Sequence, residues 1–256
     1  MKLVIMTKST FFVEEDKILT ALFDEGMDNL HLHKPGSSPL YSERLLSLLP
    51  EKYHKRITVH EHYYLKNEYN LSGIHLDQLT DQPPAGYRGR ITRNCSDLSL
   101  LKETKKKADD TFLTYIFDSI EEENHKANFN MQQIEEAAKR GLIDRHVFAA
   151  GGMNIDNVKL AKDYGFGGVV IRGDLWSRFD IHNETDFKDL MAHFEKLRKV
   201  IRVGECTLDE ENILSTNGLF VGNCKFTIRE FSHDQLSQWA IQTCADLLCK
   251  VSRFCT

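Results

Sequence analysis

The chain has little proline, with five in 256 residues, two tryptophans, and no excess of positive charge. Its formal net charge is −5 and its pI about 6.1. A chain without a global basic field is not built to hold nucleic acid or an anionic membrane surface. No apolar run approaches the roughly 20 residues that cross a bilayer. The opening "MKLVIMTKST" lacks the long apolar core and small-residue cleavage site of a signal peptide. The expectation is a cytoplasmic protein with no membrane partner. None of the six cysteines forms a C-x-x-C pair, so free thiols are expected rather than disulfides or a zinc knuckle. The first apolar run leads into "TKSTFF", with no glycine, where an open dinucleotide-binding sheet carries its fingerprint. No Ser/His/Asp or Cys/His nucleophile signature is present.

What is present is alternation. Short β-branched runs occur at 3–6, 29–33, 56–60, 73–76, 89–92, 112–117, 146–150 and 168–172. Amphipathic segments lie between most of them. "EEDKILTALFDEG" sets Ile18, Leu19, Leu22 and Phe23 on one face and stops at Gly26. "NIDNVKLAKDYG" has Asn154 as a cap candidate. A closing helix spans 184–201, with Phe187, Leu190, Met191, Phe194 and Leu197 at helical spacing. Repeated strand–helix units predict a parallel sheet with right-handed crossovers, and eight units predict a TIM (β/α)8 barrel. The crossover between 73 and 89 is too short for a long helix and must be compact. Residues 1–200 form the barrel; 201–256, where five of the cysteines crowd, form a C-terminal extension that breaks the pattern. That extension has an Asn-Gly turn at 217–218, a β-rich run after it, and an amphipathic helix from 232.

A barrel keeps its active site at the C-terminal ends of its strands. That rule selects His31, His33 and Lys34 after the second strand and His60, Glu61 and His62 after the third. His75 and Asp77 belong to the fourth, Thr92 to the fifth, Asp118 and Ser119 to the sixth. Gly151, Gly152 and Asn154 follow the seventh, and Arg172 and Gly173 the eighth. "FAAGGMN" and "IRGDLW" end strands in glycine, so the backbone can close around a phosphate. The loops after strands seven and eight are the usual barrel phosphate site. The stretch "RITVHEHYYL" suits a metal or an acid–base pair. His31, His33, His60 and His62 form a possible zinc set, because alternate strand residues face one way. His75 in "GIHL" reads as a hydrogen-bonded interior histidine.

Taken in order, "LHLHKP", "GIHLDQ", "GRIT", "FLTYIFDS", "FAAGGM" and "GVVIRGDLW" resemble the thiamine phosphate synthase/TenI family, most closely its TenI-like branch. The resemblance covers about residues 1–200. It implies phosphorylated small-molecule substrates, possible homo-oligomers, and one of two activities. A synthase joins hydroxymethylpyrimidine diphosphate to thiazole phosphate with Mg²⁺ and releases diphosphate. A TenI-type tautomerase isomerises a thiazole carboxylate phosphate with a histidine and needs no metal. By the resemblance, Gly151, Gly152 and Gly173 hold the thiazole phosphate. His31, His33, Lys34, His60, Thr92 and Ser119 fall on the diphosphate and pyrimidine side, with Glu61 as the Mg²⁺ ligand. Ser96 stands where the tautomerase histidine falls, and Glu122 where the synthase has a lysine. A non-catalytic binder of thiazole phosphate or thiamine phosphate is the third alternative.

Overall fold

The computed structural model describes residues 1–121, 125–177, 179, 184–202, 219–221 and 224–226. Eight parallel strands close a barrel in sequence order: β1 (Lys2–Met6), β2 (Leu30–Leu32), β3 (Ile57–Val59), β4 (Gly73–Leu76), β5 (Arg90–Cys95), β6 (Asp110–Leu113), β7 (Val147–Ala149) and β8 (Gly168–Ile171). β8 pairs with β1 through Lys2↔Gly168 to Ile5↔Ile171, which closes the ring. The crossovers carry α1 (Glu15–Asp24), α2 (Pro39–Leu48), α3 (Leu65–Glu68), α4 (Leu101–Lys105), α5 (Met131–Lys139) and α6 (Val158–Asp163), and α7 (Gly173–Trp176) and α8 (Glu184–Arg202) follow β8. Between β4 and β5 the chain crosses without a helix, as its length requires.

Each strand alternates inward and outward side chains, so the barrel has two cores. Outward residues such as Ile5, Leu30, Ile57, Ile74, Val147 and Val169 are at most 1% exposed and meet the helices. Ile18, Leu19, Leu22 and Phe23 of α1 and Leu190, Phe194 and Leu197 of α8 seal that layer. Burying each such side chain is worth about 1.5–3 kcal/mol. The interior is divided. Val4, Phe112, Phe148, Ala150 and Val170 fill the side formed by β1 and β6–β8. On the β2–β5 side the inward residues include His31, His75 and Thr92, all buried.

Two expected boundaries move. The sixth strand stops at Leu113 rather than Phe117. Tyr115 takes φ +61, and the N–H groups of Ile116 and Phe117 donate to Ala150 and Gly151 instead of a neighbouring strand. The helix expected from Asn154 starts at Val158, because Asn154 Oδ1 accepts from the backbone of Asp156 and Asn157 and closes a turn there. α5 has a full capping box between Asn130 and Gln133.

The chain divides into two compact units, Met1–Arg202 and Val203–Thr256. In the second, β9 (Leu219–Val221) and β10 (Cys224–Phe226) pair antiparallel. The amphipathic helix expected after residue 232 lies outside the described residues. No helix among the described residues is long and apolar enough to cross a membrane.

Candidate active site

A cavity of about 780 Å³ opens at the C-terminal ends of the strands. One wall is built from the loops after β6, β7 and β8, and includes Ser119, Glu121, Gly151, Gly152, Arg172 and Gly173. The facing wall includes His33, Glu61, Asp77 and Asn94, and the floor is Phe112 and Val170.

The glycines of the first wall are required by their surroundings. Gly151 has φ +85, and a Cβ there would come within 2.6 Å of the Tyr115 nitrogen. Gly152 has φ +66, and a Cβ would collide with the Asp118 carbonyl. The β6 loop therefore lies directly against the Gly-Gly turn, and any side chain would push the two apart. At Gly173 a Cβ would meet side chains instead, Glu121 Cγ at 2.9 Å and Ile120 Cβ at 3.0 Å. Arg172 is the one lysine or arginine in the described lining, and its guanidinium pairs with the Glu121 carboxylate. The lysine position occupied by Glu122 lies outside the described residues.

The facing wall is imidazole-rich. His31 Nδ1 lies 3.0 Å from His60 Nε2, and His60 Nδ1 lies 3.0 Å from Asp77 Oδ1. His75 Nδ1 lies 2.7 Å from Thr92 Oγ1, while its Nε2 is buried without a well-formed hydrogen bond. Its ring stacks on His60 at 4.1 Å. Burial, above all, holds His31, His60 and His75 well below the ordinary histidine range. The three rings are neutral at neutral pH. His75 is thus the interior histidine its strand position implied, and Thr92 serves it from below the cavity rather than lining it.

Three expected placements change. Lys34 does not face the cavity: its ammonium is buried, 2.6 Å from Glu15 Oε1 and 2.9 Å from the Thr10 carbonyl, over the Phe11 ring. Burial lowers the Lys34 pKa and raises that of Glu15. His62 leaves the possible zinc set, because at φ +54 its ring turns to the Ser37 carbonyl. Glu61 is already engaged. One oxygen accepts from the Lys34 backbone at 3.0 Å; the other lies 2.9 Å from His33 Nδ1, off the axis of a good hydrogen bond. Burial works to raise the Glu61 carboxyl, but these two neighbours bring it below the usual range. Mg²⁺ takes oxygen ligands in strict octahedral geometry. With Glu61 committed, Asp77 is the carboxylate this wall leaves to such an ion, beside neutral imidazoles.

Asp77, selected at the end of the fourth strand, reaches His60 because β3 and β4 are neighbours. One lining residue was not legible in the sequence. His125 sits in the β6 loop, stacks on Tyr115 at 4.2 Å, and lines the same cavity as Ser96. No strand-end rule selects a residue that far along a loop.

A thiamine phosphate pyrophosphorylase from Bacteroides thetaiotaomicron is 45% identical over 79% of this chain and 98% of its own length, with a TM-score of 0.71. The chain belongs to the thiamine phosphate pyrophosphorylase family. That membership puts it in thiamine biosynthesis. The family's protein from Pyrococcus furiosus is 17% identical over 79% of this chain and 96% of its own length, with a TM-score of 0.60. A 3-hexulose-6-phosphate synthase is 15% identical over 78% and 100%, with a TM-score of 0.54. At those identities the last two speak for the barrel alone. No family model matches the chain, and no curated protein does.

Proposed function

We propose that this pyrophosphorylase-family chain condenses hydroxymethylpyrimidine diphosphate with thiazole phosphate to give thiamine phosphate and diphosphate. The observation that carries the reading is the steric need for glycine at 151 and 152, beside Gly173, on one wall of a cavity large enough for two ligands. Gly151, Gly152 and Gly173 bind the thiazole phosphate, with Arg172 exchanging Glu121 for phosphate. His33 and Ser119 face the pyrimidine diphosphate, with His60 beneath His33. The bond between the pyrimidine methylene and the diphosphate oxygen breaks, and its electron pair leaves with diphosphate. The thiazole nitrogen then forms the new bond to the methylene carbon. The chain's work is to hold the two halves in line and keep water from the cation.

A second reading is supported by one observation. His125 lines the cavity with Ser96, so an imidazole is available for a tautomerase even though position 96 is serine. Incubation of the purified chain with both phosphorylated halves and a divalent cation separates the readings. Thiamine phosphate and diphosphate in equal amounts are expected. Tight thiazole phosphate binding without product overturns the condensation and leaves a binder. Isomerisation of the thiazole carboxylate phosphate that is lost in His125→Ala favours the tautomerase.

A further inference from the structure

The polar wall that faces the pyrimidine diphosphate also groups donors of a metal-binding type. His33 follows β2, His60 follows β3 and Asp77 follows β4. One nitrogen from each of the two imidazoles and one oxygen of Asp77 all lie within 4.8 Å of one another. His33 and Asp77 line the cavity with side chains 18% and 30% exposed, and His60 sits beneath them at 1%. Each of the three is steadied from behind. Glu61 lies against His33 Nδ1, His31 Nδ1 lies 3.0 Å from His60 Nε2, and the Asn94 amide donates to Asp77 Oδ1 at 3.3 Å. Outer partners of this kind orient metal ligands and raise their affinity. The His33 and His60 rings are inclined at 51° with centroids 4.6 Å apart, so they are not stacked. The deeper trio of His31, His60 and His75 is a poorer ligand set. His60 and His75 stack at 20°, and near-parallel rings cannot both point in-plane at one ion.

We propose that His33, His60 and Asp77 hold a divalent transition-metal ion of zinc's class, with its open coordination positions facing the cavity. Two imidazoles and one carboxylate suit borderline first-row ions, whereas Mg²⁺ selects oxygen. An ion here meets whatever ligand oxygen enters the cavity.

The test uses the full-length protein after chelator treatment. It is titrated with Zn²⁺, Co²⁺ and Mg²⁺, and bound metal is counted. One Zn²⁺ per chain is expected, resistant to excess Mg²⁺, with a Co²⁺ spectrum of nitrogen and oxygen ligation. His33→Ala and Asp77→Asn each weaken Zn²⁺ at least tenfold, and Glu61→Gln, acting through His33, by about 10–100-fold. His146→Ala, on an exposed histidine, leaves affinity unchanged. A melting transition confirms that each variant is folded. No Zn²⁺ binding, a thiolate-type Co²⁺ spectrum, or wild-type affinity in both His33→Ala and Asp77→Asn overturns the proposal. Neither phosphorylated half enters this assay, so its failure and that of the condensation are separate results.

Discussion

At the scale of single residues, the site is governed by which charges are already paired. Arg172 is held by Glu121, and Lys34 is sunk against Glu15. Freeing Arg172 by Glu121→Gln is expected to tighten thiazole phosphate binding, and Arg172→Ala to weaken it by about tenfold or more, as removal of a charge-assisted contact does. Calorimetry on both variants checks the pair; equal affinities would remove Arg172 from the site. The buried Lys34–Glu15 pair behaves differently. Glu15→Ala leaves a buried ammonium alone and is expected to cost about 3–5 kcal/mol in denaturant unfolding. Replacing both partners by apolar residues of similar size is expected to cost far less, because burial has already set Glu15 above and Lys34 below their ordinary values. The three deep histidines set a pH dependence. Each is held well below the ordinary 6.5 in the folded chain. Below that value the unfolded chain takes up protons that the folded chain refuses. Stability of metal-free protein is therefore constant from this source above about pH 6.5 and falls below it, by up to roughly 1.4 kcal/mol per pH unit for each histidine. His75→Gln is expected to make the fall shallower, and an unchanged slope would show that His75 titrates normally.

At the scale of elements, strands position and loops decide. The barrel was legible because its units repeat: apolar runs of strand length, amphipathic helices at 3.6-residue period, and stops at Gly26 and Pro50. The deep imidazole cluster was not. His31, His60 and His75 lie on three strands, and their meeting depends on barrel closure and register, which no local pattern encodes. The same holds for Lys34, whose partner Glu15 belongs to α1. His62 shows the limit of the alternation rule. It stands two residues from His60, but the strand has ended and a left-handed residue turns it away. The β6 loop has strand composition in "TYIF" but forms no strand. Its backbone instead packs on the Gly151–Gly152 turn. Helix ends give a sharper check. Asn130→Ala removes the capping box of α5 and is expected to cost about 1 kcal/mol by denaturant titration.

At the scale of the molecule, the barrel is one unit and residues 203–256 another. The Bacteroides relative aligns over nearly all its length with about four-fifths of this chain. Residues 1–202 expressed alone are therefore expected to unfold in a single transition and to bind thiazole phosphate as the full chain does. A non-cooperative melt would show that the barrel depends on the rest of the chain. Within the barrel, the His31–His60–His75 cluster lies on the β2–β4 side and the glycine turns on the β7–β8 side, with Phe112 between them. Two phosphorylated halves approaching from opposite walls suit that division. The most direct measurement is a calorimetric titration of thiazole phosphate into wild-type protein and Gly152→Asp. One site per chain is expected, with affinity reduced at least tenfold in a variant that places a carboxylate against Asp118 and into the glycine turn. Equal affinity in the two proteins, both folded, would contradict the phosphate site on which the account rests.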